Sequence, residues 1–191
     1  GRTQAAAEAF EQGLKGAPQE PTLLLGAGVA AHLLGQPESA RRLLIDALKY
    51  DPTLTAASLL LGELFYRAND LPAAIQVYQQ AQAHAPQHPQ LLARLEAWLR
   101  ESSLHDTFAR KLGDHFTVLF EGPAEAELAA KAVEVLEAAY WRIGSALYTY
   151  PTGVLTVVLY TREQFRDITR APEWAGGAYD GRIRMPVQGA L

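Results

Sequence analysis

The strongest constraint on this chain is a 34-residue period. Gly28 and Gly62 stand 34 residues apart, and the same spacing separates Ala40 from Ala74, Leu44 from Tyr78, Ala47 from Ala81 and Pro52 from Pro86. Carried back one period, the register meets Ala6, Phe10 and Pro18. A period of this length marks a stacked helical array, in which each unit has a face that it cannot bury alone. The expected organisation is a half unit at 1–20, whole units at 21–54 and 55–88, and a final helix at 89–101. Small residues at Gly28, Ala40 and Ala47 let paired helices approach, while Leu24, Leu44, Phe65 and Tyr78 fill the space between them. Gly35-Gln36-Pro37 and Asn69-Asp70 supply the turn inside each unit, and Pro52 and Pro86 end the second helix. In the final helix, spacing aims Leu92, Leu95 and Leu99 at the array and Arg94, Glu96 and Arg100 at water.

These residues resemble the tetratricopeptide repeat. The second unit, TAASLLLGELFYRANDLPAAIQVYQQAQAHAPQH, matches at Leu61-Gly62, Phe65, Asp70, Ala74, Tyr78, Ala81 and Pro86. The first unit departs at Ala27 and Ala31, and the half unit at Gly13. The resemblance covers about residues 3–101 and implies a protein-interaction scaffold with a concave groove lined by the first helix of each pair. It assigns to that groove Leu25, Val29, His32, Leu33, Leu59, Glu63, Tyr66 and Arg67, then Ala93 and Ala97, with Tyr66 and Arg67 as the expected anchors. The Lys/Asn set with which chaperone-binding members grip a C-terminal carboxylate is absent. The expected occupant is a protein or peptide, or the chain's own second domain, and both stay open at this point.

Composition narrows the partners. The 191 residues carry a net charge of −4. Residues 1–101 hold eight Lys/Arg against ten Asp/Glu and residues 102–191 nine against eleven, so neither half offers the basic face that nucleic acid requires. No apolar run reaches the length of a membrane span. There is no cysteine, which removes disulfides, thiolate chemistry and cysteine zinc sites together. No cofactor is expected in this chain. The first residue is Gly1, which suggests a piece of a longer protein. No compartment follows from the sequence.

Two patterns imitate sites. Gly26-Ala27-Gly28 follows an apolar run and, with Asp46 twenty residues on, echoes a dinucleotide fingerprint, but no strand alternates with a helix here and the repeat register already explains Gly28. His84 and His88 have the spacing of a zinc helix, but Ala85 stands where the general base belongs and Pro86 breaks the helix between them. His105 and His115 read as isolated surface residues beside Asp106 and Asp114. Catalytic and metal-ligating residues are therefore expected to be absent.

After Glu101 the period changes, and 102–112 reads as a connector with a short helix or turn at 104–112. Residues 115–121 alternate Phe116, Val118 and Phe120 with polar or smaller neighbours, as a strand does. Pro123 opens a helix with Glu125 and Glu127 at its positive end. Leu128, Ala132, Val135, Ala139, Ile143 and Ala146 form its expected apolar stripe. Residues 154–160 are a continuous apolar run, hence a central strand. Thr161 caps a short helix ending near Thr169. Asp180-Gly181 predicts a hairpin, and Pro186 predicts an edge strand for 183–187. The fold class expected for the chain is an all-α tetratricopeptide solenoid followed by a partial α+β domain with a mixed or antiparallel sheet.

The segments HFTVLFEG, LEAAYWRIG, TVVLYTREQF and PEWAGGAYDGRIRMPV resemble the front of the peptidase-MA-like domain, a branch of the gluzincin zinc metallopeptidases, over about residues 113–191. The resemblance implies a parent protein, bacterial-envelope or secreted, that is a zinc peptidase whose His-Glu-x-x-His helix lies beyond Leu191. It places Gly176, Gly177, Ala178 and Tyr179 where substrate backbone adds to a sheet edge. The other reading of that segment is a tight glycine turn with Trp174 anchoring the loop in the core. No His follows His115, so this chain by itself is expected to bind rather than cleave.

Overall fold

The computed structural model describes residues 1–122 and 126–187. Its contacts divide it into two compact units, residues 1–99 and 100–191.

Unit 1 is a run of antiparallel helices: α1 (Arg2–Gly16), α2 (Pro21–Leu33), α3 (Pro37–Tyr50), α4 (Thr55–Arg67), α5 (Leu71–His84) and α6 (Pro89–His105), whose last turns belong to unit 2. Proline sits in the first turn of α2, α3 and α5, where its missing N–H costs nothing. The Asp70 side chain accepts from the Ala73 backbone N–H at 3.1 Å and caps α5. The intra-unit turns repeat atom for atom. Gly35 and Asn69 take left-handed conformations (φ 73° and 66°), and the next N–H in each case reaches back to Ala31 O or Phe65 O at 2.9 Å. Pro52 and Pro86 lie two residues past the ends of α3 and α5, as the sequence predicts.

Consecutive helices pack in order, α1 on α2 through α4 on α5. A Cβ on Gly28 would lie 3.0 Å from Leu44, and one on Gly62 would lie 2.3 Å from the Tyr78 ring, so these glycines set how closely each helix pair approaches. Gly26 has its own packing reason, since a Cβ there would strike Phe10 of α1 at 2.3 Å. The Gly26-x-Gly28 pattern is thus a helix-packing pattern inside α2. The core of the second repeat joins Tyr66, Ala74, Tyr78, Leu91, Leu95 and Trp98. Here the final-helix expectation is corrected. Trp98, and not Leu99, faces the array: Trp98 is 1% exposed and Leu99 is 43% exposed. Arg94, expected in water, is half-buried against Glu63.

Unit 2 is a five-stranded mixed sheet in the order β1-β2-β3-β5-β4, formed by β1 (Phe108–Leu112), β2 (Phe116–Glu121), β3 (Leu155–Tyr160), β4 (Ala178–Tyr179) and β5 (Ile183–Pro186). The segment 102–112, expected as a connector, instead completes α6 and forms β1, which runs antiparallel to β2. The parallel pairs β2–β3 and β3–β5 make β3 central, as its apolar run predicts. Between β2 and β3 lies α7 (Ala126–Leu147), and between β3 and β4 lies α8 (Arg162–Thr169). Thr161 and Gln164 form a reciprocal capping box at the start of α8. Pro123 and Glu125, read as opening α7, lie outside the described residues.

Helix α7 covers one sheet face with Ala129, Ala132, Val133, Leu136 and Tyr140 against Phe116, Val118, Phe120, Val157 and Leu159. The expected stripe is therefore rotated: Ala132 is buried, but Val135 and Ile143 face outward. The other face carries Val158 and Tyr160 under Phe165 and Ile168 of α8 and Leu104 of α6. Asp180-Gly181 does turn a hairpin, with Gly181 at φ 106°. The edge assignment is corrected, because β4 pairs outside β5. Pro186 is tolerated in an inner strand because β4 stops at the level of Arg184.

Candidate functional site

Two places hold polar chemistry. The first is the face of α2, α4 and α6 in unit 1. Val29 is 37% exposed, Leu33 is 67% exposed and Arg67 is exposed; Leu25, His32 and Leu59 are half-buried. Leu25 and Leu59 pack against the core, and the Leu59 carbonyl accepts from the Tyr78 hydroxyl at 3.2 Å. The Tyr66 anchor is corrected. Tyr66 is 5% exposed and stacked on Trp98 with ring centroids 5.1 Å apart, so it supports the surface from below. Sequence spacing missed this because the ring that covers Tyr66 comes from α6, outside the repeat register. Above it, Arg94 donates from Nε and Nη2 to the two Glu63 oxygens at 2.7 and 3.0 Å. Its guanidinium lies 5.1 Å from the Tyr66 ring centroid and 5.2 Å from that of Trp98. Burial pulls the Arg94 pKa down, but the Glu63 bonds outweigh it and raise the net value. Ala93 is exposed and Ala97 half-buried on the same helix. The result is a fixed cation on two aromatic rings, and on the earlier helices Val29, Leu33 and Arg67 are exposed.

The second place is a buried ionic cluster in unit 2. Glu101 Oε1 accepts from Arg184 Nη2 at 2.8 Å and from Arg182 Nη1 at 3.1 Å, and all three residues are buried. Arg184 Nη1 donates to the Tyr160 hydroxyl at 2.8 Å, and Arg184 Nε reaches Asp180 at 3.0 and 3.1 Å. The Tyr160 hydroxyl lies 2.7 Å from His105 Nε2. Burial raises the Tyr160 pKa, with Arg184 opposing and Glu101 adding to it. Arg182 and Arg184 alternate along the chain with Ile183, Met185 and Val187, and both arginines are buried because α6 and α8 cover their face of the sheet.

His105, read as a surface residue, is in this cluster. Burial pushes its imidazole down to about 4, Glu101 partly opposing and Arg182 and Arg184 reinforcing. An unfolded His takes up its proton near pH 6.5. Between these values the unfolded chain binds a proton that the folded chain refuses. The stability is therefore intact above about pH 6.5 and falls as pH drops toward 4. From pH 7 to 4.5 the wild-type protein should lose on the order of 1–3 kcal/mol more than His105→Gln. Equal losses in urea denaturation would remove His105 from the pH dependence.

The remaining histidines have local roles. His88 Nδ1 accepts from the Leu91 N–H at 3.4 Å at the start of α6, and His84 is exposed at the end of α5. His115 stacks on Tyr140 at 3.8 Å and pairs with Glu137 at 2.7 Å. Burial raises the Glu137 pKa, but the backbone N–H and imidazole of His115 bring it below the usual value. Among the described residues no group of three or more His, Cys, Asp or Glu is placed to hold a metal ion. No described helix is long and apolar enough to cross a membrane. Of the segment 176–179, Ala178 and Tyr179 form the edge strand β4 and Gly176-Gly177 lead into it; Trp174, offered as a core anchor, is 86% exposed.

Residues 34–89 match a family model described as tetratricopeptide repeat, and residues 1–53 match a second of the same description. Residues 1–89 therefore carry tetratricopeptide repeats. Among solved structures, MamA is similar at 25% identity and a TM-score of 0.50, over 55% of this chain and 61% of that one. The first tetratricopeptide domain of Spaghetti (RPAP3), bound to the HSP90 peptide SRMEEVD, is similar at 17% identity and a TM-score of 0.49, over 53% of this chain and 82% of that one. No curated protein matches the sequence. The two family matches end at residue 89, and the peptidase resemblance of residues 113–191 is carried by neither.

Proposed function

We propose that the array is a docking scaffold for an extended segment of another protein, taken up on the face of α2, α4 and α6. The carrying observation is the set of exposed residues there that the core does not use, Val29, Leu33 and Arg67, together with the braced Arg94 on α6. An apolar side chain of the partner would cover Val29 and Leu33, and a carboxylate would meet Arg67. Peptides selected from a random displayed library against the full chain test this reading. Val29→Asp or Arg67→Ala should weaken them about tenfold or more, and Gln80→Ala on α5 should not. The reverse pattern would overturn the assignment. Failure to select any peptide would count against an outside partner and favour the chain's own second domain as occupant.

We also propose that residues 113–191 are the front of a zinc peptidase domain of the peptidase-MA-like kind. What favours this is the position of β4 at the sheet edge, antiparallel to β5, in the segment to which the resemblance assigns substrate. The residues present do not fit a zinc site, since no His follows His115. The metal would be held by residues beyond this chain, and no step is assigned to it. The codons that follow Leu191 in the gene should encode His-Glu-x-x-His with a later Glu, and a gene without them would end this reading.

A further inference from the structure

The edge strand β4 is only two residues long and makes two ladder pairs, Ala178 with Arg184 and Tyr179 with Ile183. So short a strand cannot hold its own place. Ala178 packs against the cluster of Val158, Tyr160 and Phe165, and charge adds to that hold. Arg182 ends the hairpin turn and Arg184 lies next to it on the same face of β5, and both converge on a single oxygen of Glu101. Arg184 also grips Asp180 in the turn and the Tyr160 hydroxyl of the central strand. Two buried guanidinium groups thus hang on one buried carboxylate supplied by the last turns of α6. Without it, both cations would sit in low dielectric with less compensation. The β4 arm and the turn are the parts best able to relieve this, because Tyr179 and Asp180 already reach solvent and β4 makes only two ladder pairs, whereas β5 is also paired with β3 over four residues.

We infer that Glu101 is a lock that positions the β4–β5 hairpin, and with it the strand edge at which an extended chain would add. The second clause rests on the edge-strand reading above; the first does not. Hydrogen exchange of the full-length chain, without any ligand, tests the lock. In Glu101→Gln the amides of residues 178–182, in β4 and the turn, should exchange about a hundredfold faster or more. The amides of Val157, Val158 and Leu159 in β3 should change less than about threefold. Glu101→Asp keeps the charge but is one methylene shorter, and should give an intermediate effect of about tenfold. That variant carries the test if Glu101→Gln does not fold. Unchanged hairpin amides, or equal acceleration in β3, would overturn the lock. Failure of peptides to add at β4 would overturn only the edge-strand reading, because the exchange comparison involves no peptide.

Discussion

Replacing Trp98 by Ala should cost the array about 3–5 kcal/mol, near the upper end for a core aromatic. The ring is 1% exposed, stacks on Tyr66 at 5.1 Å and tilts against Tyr78 at 4.5 Å. It sits where Gly62 leaves room: a Cβ on Gly62 would already lie 3.4 Å from it. Truncation would open a cavity between three helices whose backbones are fixed by other contacts, so the space cannot collapse cheaply. Leu99, one residue on, is 43% exposed and should tolerate Ala with a loss under about 1 kcal/mol. Urea denaturation of the two variants separates the observed helix face from the face that simple spacing of Leu92, Leu95 and Leu99 suggests. Equal losses would mean that α6 is rotated.

Arg184→Met should be comparably severe for unit 2, about 3–5 kcal/mol. The change removes bonds to Glu101, Asp180 and the Tyr160 hydroxyl at once, and takes from buried Glu101 one of its two guanidinium partners. The cost comes mainly from polar groups stranded in the interior rather than from the intrinsic worth of an ion pair. The surface pair Arg166–Glu173 supplies the contrast. Its side chains are 53% and 84% exposed, and Arg166→Met should cost between about 0 and 1 kcal/mol. Thermal unfolding that showed the two substitutions to be equivalent would contradict the buried placement of Arg184.

What was legible in the sequence follows from how local the determining physics is. The repeat could be read because Gly28/Gly62, Leu44/Tyr78 and Gly35/Asn69 solve the same packing and turn problems twice, at one spacing. The strand at Phe116–Glu121 could be read because its buried residues alternate. Where the sequence misled, a neighbour distant along the chain decided the outcome. Tyr66 looked like a groove anchor until Trp98 covered it. The alternation of Arg182 and Arg184 with Ile183, Met185 and Val187 does not reveal which residues are buried, because the sheet is covered on both faces. The stripe on α7 was misplaced because that helix carries apolar residues on its outward side too, among them Val135, Ile143 and Leu147. In β1 the charged Arg110 and Lys111 hid a five-residue strand.

The central claim is that the array binds through its α2, α4 and α6 face, and the most direct measurement is an exchange footprint. A peptide selected against the full chain is added at saturation, and amide protection is compared with that of the free chain. Protection should concentrate in the last turns of α2 around Val29–Leu33, the end of α4 around Arg67, and α6 around Arg94, with α3 and α5 unchanged. Protection confined to α3 and α5, with Val29→Asp binding as well as the wild-type chain, would contradict the claim.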